Sequence, residues 1–189
     1  MKTAILLHGT MANSSSNWLQ WLKAELEQKG FKVWVPDLPN TELPSLIEWT
    51  DYIIGNCPFD IDSNTTLIGH SSGAVAVLIL AQSLTHKIKQ IISVGVYKDL
   101  DYLHEVVKFH ANDRFFDIPF NFEKMKQNCD NIVFIHSDDD PYCPLTHAEY
   151  LAGKTGGKLI VIPGQGHFKM EKSPDYNKFP ALLEYVDQK

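Results

Sequence analysis

Residues 69–73 read Gly-His-Ser-Ser-Gly, a G-x-S-x-G motif that directly follows the apolar run Thr65–Ile68. An apolar helical pattern begins at once after the motif, which predicts a sharp turn between a strand and a helix. Such a turn presents a serine hydroxyl above the edge of a sheet, and its strained backbone requires small neighbours. Ser71 is therefore the candidate nucleophile, because glycines stand two residues before and after it. A glycine-rich turn without any chemistry is the alternative.

A serine hydroxyl is a weak nucleophile unless a general base removes its proton. Among eight histidines, His167 is the favoured base, because it follows the last predicted strand in the glycine-rich sequence Pro-Gly-Gln-Gly-His-Phe at residues 163–168. Its neutral imidazole must accept the proton, so activity should decline at acid pH. A solvated loop histidine is the alternative. The histidines in helical or irregular segments are expected to be surface groups: His86, His104, His110 and His147.

The base needs a carboxylate that orients it. Asp138, Asp139 and Asp140 follow the apolar run Asn131–Ile135 and precede Pro141. The chain order is then serine, aspartate, histidine, which is the order of the α/β-hydrolases. Three adjacent aspartates could instead hold Ca²⁺, although the residue spacing of an EF-hand loop is absent.

A tetrahedral intermediate needs two amide donors near its negatively charged oxygen. One expected donor is the backbone N–H of Ser72, the residue after the candidate nucleophile. The other is the N–H of Thr10, because Gly9 follows the first predicted strand and lets the backbone approach closely. An ordinary loop glycine is the alternative for Gly9, and His8 has no independent case as a catalyst.

Six short apolar runs alternate with segments of helical periodicity. The runs predict buried parallel strands at Thr3–Leu7, Lys32–Val35, Thr65–Ile68, Gln90–Val96, Asn131–Ile135 and Lys158–Ile162. The predicted helices are Ser16–Lys29, Leu46–Ile54, Ser72–Leu84, Leu145–Ala152 and Phe179–Val186. This alternation predicts an α/β fold, a three-layer α/β/α sandwich doubly wound around a mainly parallel six-stranded sheet. Ligands bind such sheets beyond the carboxyl ends of the strands, where the strand order reverses.

Residues 98–128 interrupt this regular order. The segment is long, lacks a strand–helix pattern and contains five phenylalanines. Connections of this length are usually functional lids or disordered, and the aromatic content argues against disorder. We therefore expect residues 1–189 to form a single domain with a small cap-like insertion at about 98–128. Phe115 and Phe116 are expected to shape an acyl pocket, with core packing as the alternative.

The composition excludes several classes of protein. Seventeen Lys and Arg against 23 Asp and Glu give a net charge of −6, and Arg114 is the single arginine. Binding to a phosphate backbone needs clustered cations, so no nucleic-acid partner is expected. The longest apolar run, Ala74–Ala81, is too short for membrane insertion. Three widely spaced cysteines without a CxxC motif indicate neither a zinc site nor a disulfide framework, and a cytoplasmic location is expected.

Three of these motifs resemble the small serine hydrolases of the retinoblastoma-binding protein 9 and YdeN type. They are residues 69–74, the Asp139-Asp140-Pro141 sequence and the Gly-His-Phe sequence at residues 166–168. The spaced Trp18 and Trp21 and the segment 121–126 are similar to that family as well.

The resemblance implies a compact α/β-hydrolase with a Ser-Asp-His triad, no metal cofactor and esterase-like activity on small acyl substrates. In the family pattern the aspartate immediately precedes the proline, which points to Asp140 and leaves Asp139 as its rival. One relative carries an L-x-C-x-E segment linked to retinoblastoma protein binding, and Ile53–Pro58 here lacks it. Retinoblastoma protein is therefore not an expected partner. A non-catalytic scaffold that binds a protein or a small ligand is the competing hypothesis.

Overall fold

The computed structural model describes residues 1–170 and 172–186, and at its centre lies a sheet of six parallel strands. In chain order these are β1 (Thr3–Leu7), β2 (Lys32–Trp34), β3 (Thr65–His70), β4 (Gln90–Val94), β5 (Ile132–His136) and β6 (Lys158–Val161). Their order across the sheet is β2-β1-β3-β4-β5-β6. The predicted six-stranded α/β architecture is confirmed, and the strand boundaries differ from the prediction by at most two residues.

Helices cover both faces of the sheet. They are α1 (Leu19–Gln28), α2 (Leu46–Asn56), α3 (Ser72–Ser83), α4 (Phe122–Asn128) and α5 (Leu145–Thr155). Alternate residues of β1 enter different cores: Ile5 and Leu7 pack with α2 to α5, whereas Ala4 and Leu6 pack with α1 and the C-terminal segment. No helix in the described ranges combines the length and the apolar character that crossing a membrane requires.

The order of the strands reverses between β1 and β3. From β1 the chain first moves outward to β2 and then returns to place β3 on the other side of β1. Leu7, the last residue of β1, lies opposite Gly69 of β3 in the parallel ladder. The loop after β1 and the turn at Ser71 therefore leave the sheet side by side, where parallel sheets bind ligands.

Three helix predictions were wrong in extent. Helix α1 begins at Leu19 rather than at Ser16. Helix α5 continues through Gly153, which has open space around it, and ends at Gly156, whose φ of +72° is left-handed. The predicted helix Phe179–Val186 is a short 3-10 helix over Pro180–Glu184, which follows another over Pro174–Asn177. Each of these begins at a proline, which suits a first helical position but cannot continue an earlier helix.

Residues 98–128 are more regular than the sequence indicated. They contain a π-helical turn over Leu103–Val107 as well as α4. The side chain of Asn121 caps α4 by accepting a hydrogen bond from the amide of Lys124 (3.0 Å). Asn121 could have been recognised as a helix cap in the sequence, and its hydrogen bond helps to stabilise this short helix.

The prediction that Phe115 shapes a pocket is wrong, because its side chain is fully buried in the core. Its ring meets Trp49 edge to face, with 5.6 Å between centroids, and lies 5.9 Å from Tyr97. Phe116 extends the same aromatic cluster by packing against Phe115 and Phe120. Aromatic packing thus anchors the insertion to α2 and to the segment that follows β4.

Phe115→Ala should lower the free energy of unfolding by about 3–5 kcal/mol, because it removes a buried ring and leaves a cavity. Chemical denaturation would measure the change. Val106→Ala, an apolar truncation in the same segment at a residue that is 60% exposed, should change stability by no more than about 0.5 kcal/mol. Similar small effects of both substitutions would contradict the packing of Phe115.

Candidate active site

Ser71 lies on the turn between β3 and α3 with φ +58° and ψ −123°. A positive φ is strained for a residue with a Cβ and persists only where the surroundings enforce it. The amide of Ser71 donates a hydrogen bond to the carbonyl of Val94 in the neighbouring strand (2.9 Å). The sharp turn predicted from the sequence is present, and it places Ser71 at the carboxyl edge of the sheet.

Three glycines let the backbone close up around this turn. A Cβ on Gly69 would lie 2.1 Å from the carbonyl oxygen of Gly73, and a Cβ on Gly73 would lie 2.4 Å from that of Leu7. A Cβ on Gly9 would lie 2.8 Å from the Cβ of Ser71. Each distance is shorter than atoms tolerate, so the turn and the neighbouring loop both require glycine.

His167 and Asp140 are joined directly. The Nδ1–H group of His167 donates to Oδ2 of Asp140 (2.7 Å), while the amides of Tyr142 (2.9 Å) and Cys143 (3.0 Å) donate to its Oδ1. Burial raises the pKa of Asp140, but these hydrogen bonds outweigh burial and leave its pKa below the ordinary value. Asp140 is therefore an ionised carboxylate that fixes the orientation of the imidazole.

Ser71 and His167 line one cleft of about 560 Å³. Because Asp140 occupies Nδ1, Nε2 is the ring nitrogen that remains to exchange a proton. Within the described part of the chain no hydrogen bond yet joins the Ser71 hydroxyl to this ring. Such bonds are often long without a ligand and tighten when substrate binds.

The other two aspartates hold the histidine loop, residues 163–168. Three amides of this loop donate to side chains that follow β5: Gly164 to Asp138 (2.9 Å), Gln165 to Ser137 (2.9 Å) and Gly166 to Asp139 (2.6 Å). Asp139 also pairs with Lys172 (2.9 Å), and these hydrogen bonds, that of Lys172 foremost, lower its pKa to about 2. The aspartates thus serve different donors, which disfavours the alternative of a shared Ca²⁺ site.

The two predicted amide donors are linked through their side chains. Oγ1 of Thr10 lies 2.6 Å from Oγ of Ser72 and donates to Oδ1 of Asn112 (2.6 Å). The amide group of Asn112 donates to Ser72 (3.2 Å) and to the hydroxyl of Tyr97 (2.5 Å). Burial raises the pKa of Tyr97, so its hydroxyl stays protonated. This Thr10–Ser72–Tyr97–Asn112 network ties the loop after β1, the serine turn and the insertion together.

The wall of the cleft is largely apolar. From the insertion come Leu103 and Phe109, and Met11, Ala12 and Met170 contribute from other loops. The insertion therefore does reach the cleft, but through residues other than the phenylalanines that the sequence favoured.

The model of the family described as serine hydrolase matches residues 4–188. The chain belongs to this serine hydrolase family. It is 30% identical over 161 residues to "Serine hydrolase RBBP9" of Rattus norvegicus, which covers 82% of this chain and 80% of that protein. It is 28% identical over 185 residues to YdeN of Bacillus subtilis, which covers 98% and 94% of the two chains. The resemblance inferred from the motifs is confirmed.

Solved structures of other hydrolases share the fold of this family member. The crystal structure of the B. subtilis ydeN gene product superposes with a TM-score of 0.83 at 23% identity over 100% of both chains. Est1E of Butyrivibrio proteoclasticus, solved with ferulic acid, gives a TM-score of 0.70 at 15% identity over 100% of this chain and 90% of its own. At these identities the likeness shows the α/β-hydrolase fold alone.

Gly95 is a site residue of this serine hydrolase that the sequence analysis missed. It follows β4 with φ +62°, and its amide donates to the carbonyl of Ile135 (3.0 Å). A Cβ there would lie 3.0 Å from Cε1 and 3.1 Å from Nδ1 of His167. The sequence placed Gly95 inside a strand. A glycine at the carboxyl end of a central strand was the available signal.

Two buried histidines support the His167–Asp140 pair. Nε2–H of His70 donates to the carbonyl of His167 (2.8 Å), and burial lowers the pKa of His70 to about 3. Nε2–H of His136 donates to the carbonyl of Cys143 (2.7 Å), and burial lowers its pKa as well. Both rings are therefore neutral and act as hydrogen-bond donors to backbone.

The expected surface histidines fall into two groups. His86 and His110 are exposed and His104 is partly exposed, as predicted. The prediction for His147 is wrong, because it is buried in α5, where its Nδ1 accepts from the amide of Lys98 (3.3 Å). Burial lowers the pKa of His147 also, so the ring favours its neutral form.

Gly95→Ala should reduce the kcat of the hydrolase, because the new methyl group displaces His167 from Asp140. Proton NMR should show the same change as a shift or loss of the imidazole proton that His167 shares with Asp140. Gly156→Ala is the matched control, since φ is also positive there (+72°) but no atom of the described residues lies within 4 Å of its Cβ. Equal loss of activity in both variants would mean that backbone strain alone explains the effect.

Acid should destabilise the protein through its buried histidines. An unfolded histidine takes up a proton near pH 6.5, whereas buried His70 does so only near pH 3. The stabilisation that neutral His70 gives the folded state is therefore fully present above pH 6.5 and is lost as the pH falls below it. For His70 alone the loss at pH 5 is about 2 kcal/mol.

Denaturation from pH 8 to pH 5 would measure this loss. His70→Gln should make the pH dependence shallower, while His86→Gln, at an exposed position, should keep the wild-type slope. An unchanged slope in His70→Gln would contradict a neutral, buried His70.

Proposed function

We propose that this chain is a carboxylesterase-like serine hydrolase that cleaves small ester, thioester or amide substrates through an acyl-enzyme intermediate. One observation carries the proposal: His167, which is hydrogen-bonded to Asp140 (2.7 Å), lines the same cleft as Ser71. Ser71, Asp140 and His167 are then the catalytic triad.

In the proposed reaction, His167 Nε2 takes the proton of the Ser71 hydroxyl as its oxygen bonds to the substrate carbonyl carbon. Asp140 stays ionised and stabilises the imidazolium that forms. The imidazolium then gives its proton to the leaving group as the bond to that group breaks. Water attacks the acyl-enzyme by the same route and releases the acid and free Ser71.

The backbone amides of Ser72 and Thr10 are the proposed donors to the oxyanion. Ser72 begins α3, so its N–H belongs to the donors that a helix N-terminus leaves unpaired. The bond from its side chain to Thr10 (2.6 Å) fixes the second loop beside the first. Donors held in advance of the reaction need no rearrangement in the transition state, which is the main source of their catalytic effect.

The apolar wall and the cleft volume of about 560 Å³ favour a small-molecule acyl substrate. p-Nitrophenyl esters from acetate to dodecanoate would define the acyl preference. Failure of the wild-type protein to hydrolyse any of them and to react with a fluorophosphonate would favour a binding scaffold without catalysis.

Ser71→Ala should abolish fluorophosphonate labelling and lower kcat by several orders of magnitude, leaving the contribution of binding and oxyanion stabilisation. Ser72→Ala is the matched control, because it keeps the backbone N–H and should still be labelled. Labelling that persists in Ser71→Ala, or that is lost only in Ser72→Ala, would overturn the assignment of the nucleophile.

Asp140→Asn should lower kcat by about 10⁴-fold, because the amide cannot hold the imidazole in the required tautomer. Asp139→Asn keeps an oxygen for Gly166 and loses only the partly exposed pairing with Lys172, so a change below about tenfold is expected. Steady-state kinetics of both variants make the comparison. A larger loss of kcat in Asp139→Asn than in Asp140→Asn would show that Asp140 is not the triad carboxylate.

A further inference from the structure

A second cluster of potential metal ligands lies outside the cleft, on the insertion. Nε2 of His104 is 2.9 Å from Oδ1 of Asp113, and Nδ1 of His110 is 3.5 Å from the same oxygen. The two imidazole rings stack with 4.8 Å between centroids. The ligand atoms of the three residues all lie within 4.8 Å of one another.

These distances fit a shared ion. Nitrogen and oxygen ligands bind Zn²⁺ at about 2.0–2.1 Å, so two ligands on a tetrahedron lie about 3.3 Å apart. The distances from His104 and from His110 to Asp113, 2.9 and 3.5 Å, fall on either side of that value. Two of the three ligand pairs therefore already have the spacing of a tetrahedral site, while the two imidazole nitrogens, which lie within 4.8 Å of each other, must turn toward the ion.

The environment of His104 supplies an independent reason. Its Nε2 is shielded from solvent and has no hydrogen-bond partner among residues 1–170 and 172–186, although the carboxylate of Asp113 is 2.9 Å away. A nitrogen that is close to an oxygen without bonding it is not aimed at that oxygen. This orientation is expected when the nitrogen and the oxygen both face a third atom.

We propose that His104, His110 and Asp113 bind a divalent transition-metal ion of the Zn²⁺ type, with water at the open fourth position. Two imidazoles and one carboxylate suit Zn²⁺ and its neighbours in the first transition row, whereas Mg²⁺ and Ca²⁺ prefer oxygen ligands. The side chains of His110 and Asp113 are more than half exposed, so an ion can reach the site from their side.

The location gives the ion a consequence for the cleft. Leu103 and Phe109, each adjacent to a ligand in sequence, line the cleft, and Asn112, adjacent to Asp113, bonds to Thr10. An ion at this site cross-links residues 104 to 113 and so restrains the wall of the cleft. The protein with metal should consequently melt at a higher temperature than the protein without it.

Isothermal titration of ZnCl₂ into the chelator-treated full chain tests the proposal, with the melting temperature as a second readout. We expect one equivalent to bind and the melting temperature to rise. His110→Ala and Asp113→Asn should each weaken binding by at least about tenfold, since even residues behind metal ligands contribute that much. Both positions are more than half exposed, so their substitution should not unfold the chain.

Two controls separate this site from others. His86→Ala removes an exposed histidine elsewhere and should bind Zn²⁺ like the wild-type protein. His167→Ala disrupts the other group of potential ligands, which includes Asp140 and Cys143, and should also retain the Zn²⁺ equivalent. Unchanged affinity in His110→Ala, loss of binding only in His167→Ala, or no binding by the wild-type chain would overturn the proposal. None of these readouts depends on ester hydrolysis.

Discussion

The hydrogen bond between His167 and Asp140 depends on a loop that backbone pairing does not hold. The last ladder contact between β5 and β6 runs from the amide of Ile162 to the carbonyl of His136 (2.9 Å). Beyond it, four consecutive side chains after β5, residues 137–140, receive the donors of the loop that carries His167. The position of the imidazole therefore follows from side-chain acceptors rather than from the sheet.

The serine is positioned by a different physical constraint. Ser71 has a strained backbone, and the strain persists because strand, helix and neighbouring loop approach more closely than any Cβ allows. Gly9, Gly69 and Gly73 make that approach sterically allowed. Steric constraints thus position Ser71, and hydrogen bonds position His167. Gly95 contributes to the position of His167 as well, because its missing side chain leaves the space that the imidazole occupies.

The sequence predicted the fold well, and it also marked Ser71 and His167, which the structure brings to one cleft, because both follow from local patterns. Apolar runs marked the six strands, and the glycine spacing marked Ser71. The roles of His70 and Gly95 could not be read in this way, since they depend on contacts with His167 more than 70 residues away. Aromatic content likewise drew attention to Phe115, although only tertiary packing decides between core and cleft.

Among the three aspartates, the residue pattern alone could not rank the candidates. Three consecutive aspartates follow β5, namely Asp138, Asp139 and Asp140. Each accepts a hydrogen bond from a different donor of the histidine loop. The family resemblance favoured Asp140, and the structure shows Asp140 on the imidazole. The two candidates also differ in exposure, because the Asp140 side chain is inaccessible to solvent whereas that of Asp139 is 39% exposed.

The loop that carries His167 follows β6, which lies at the edge of the sheet. Every residue of β3, which precedes Ser71, is buried, whereas β6, which precedes the histidine loop, is an edge strand with partly or fully exposed residues. Edge elements open locally at a lower free-energy cost than central ones. Warming should therefore release the imidazole from its working position before the central strands separate. Heat inactivation of this hydrolase would then begin as a reversible loss of turnover in a chain that is still folded.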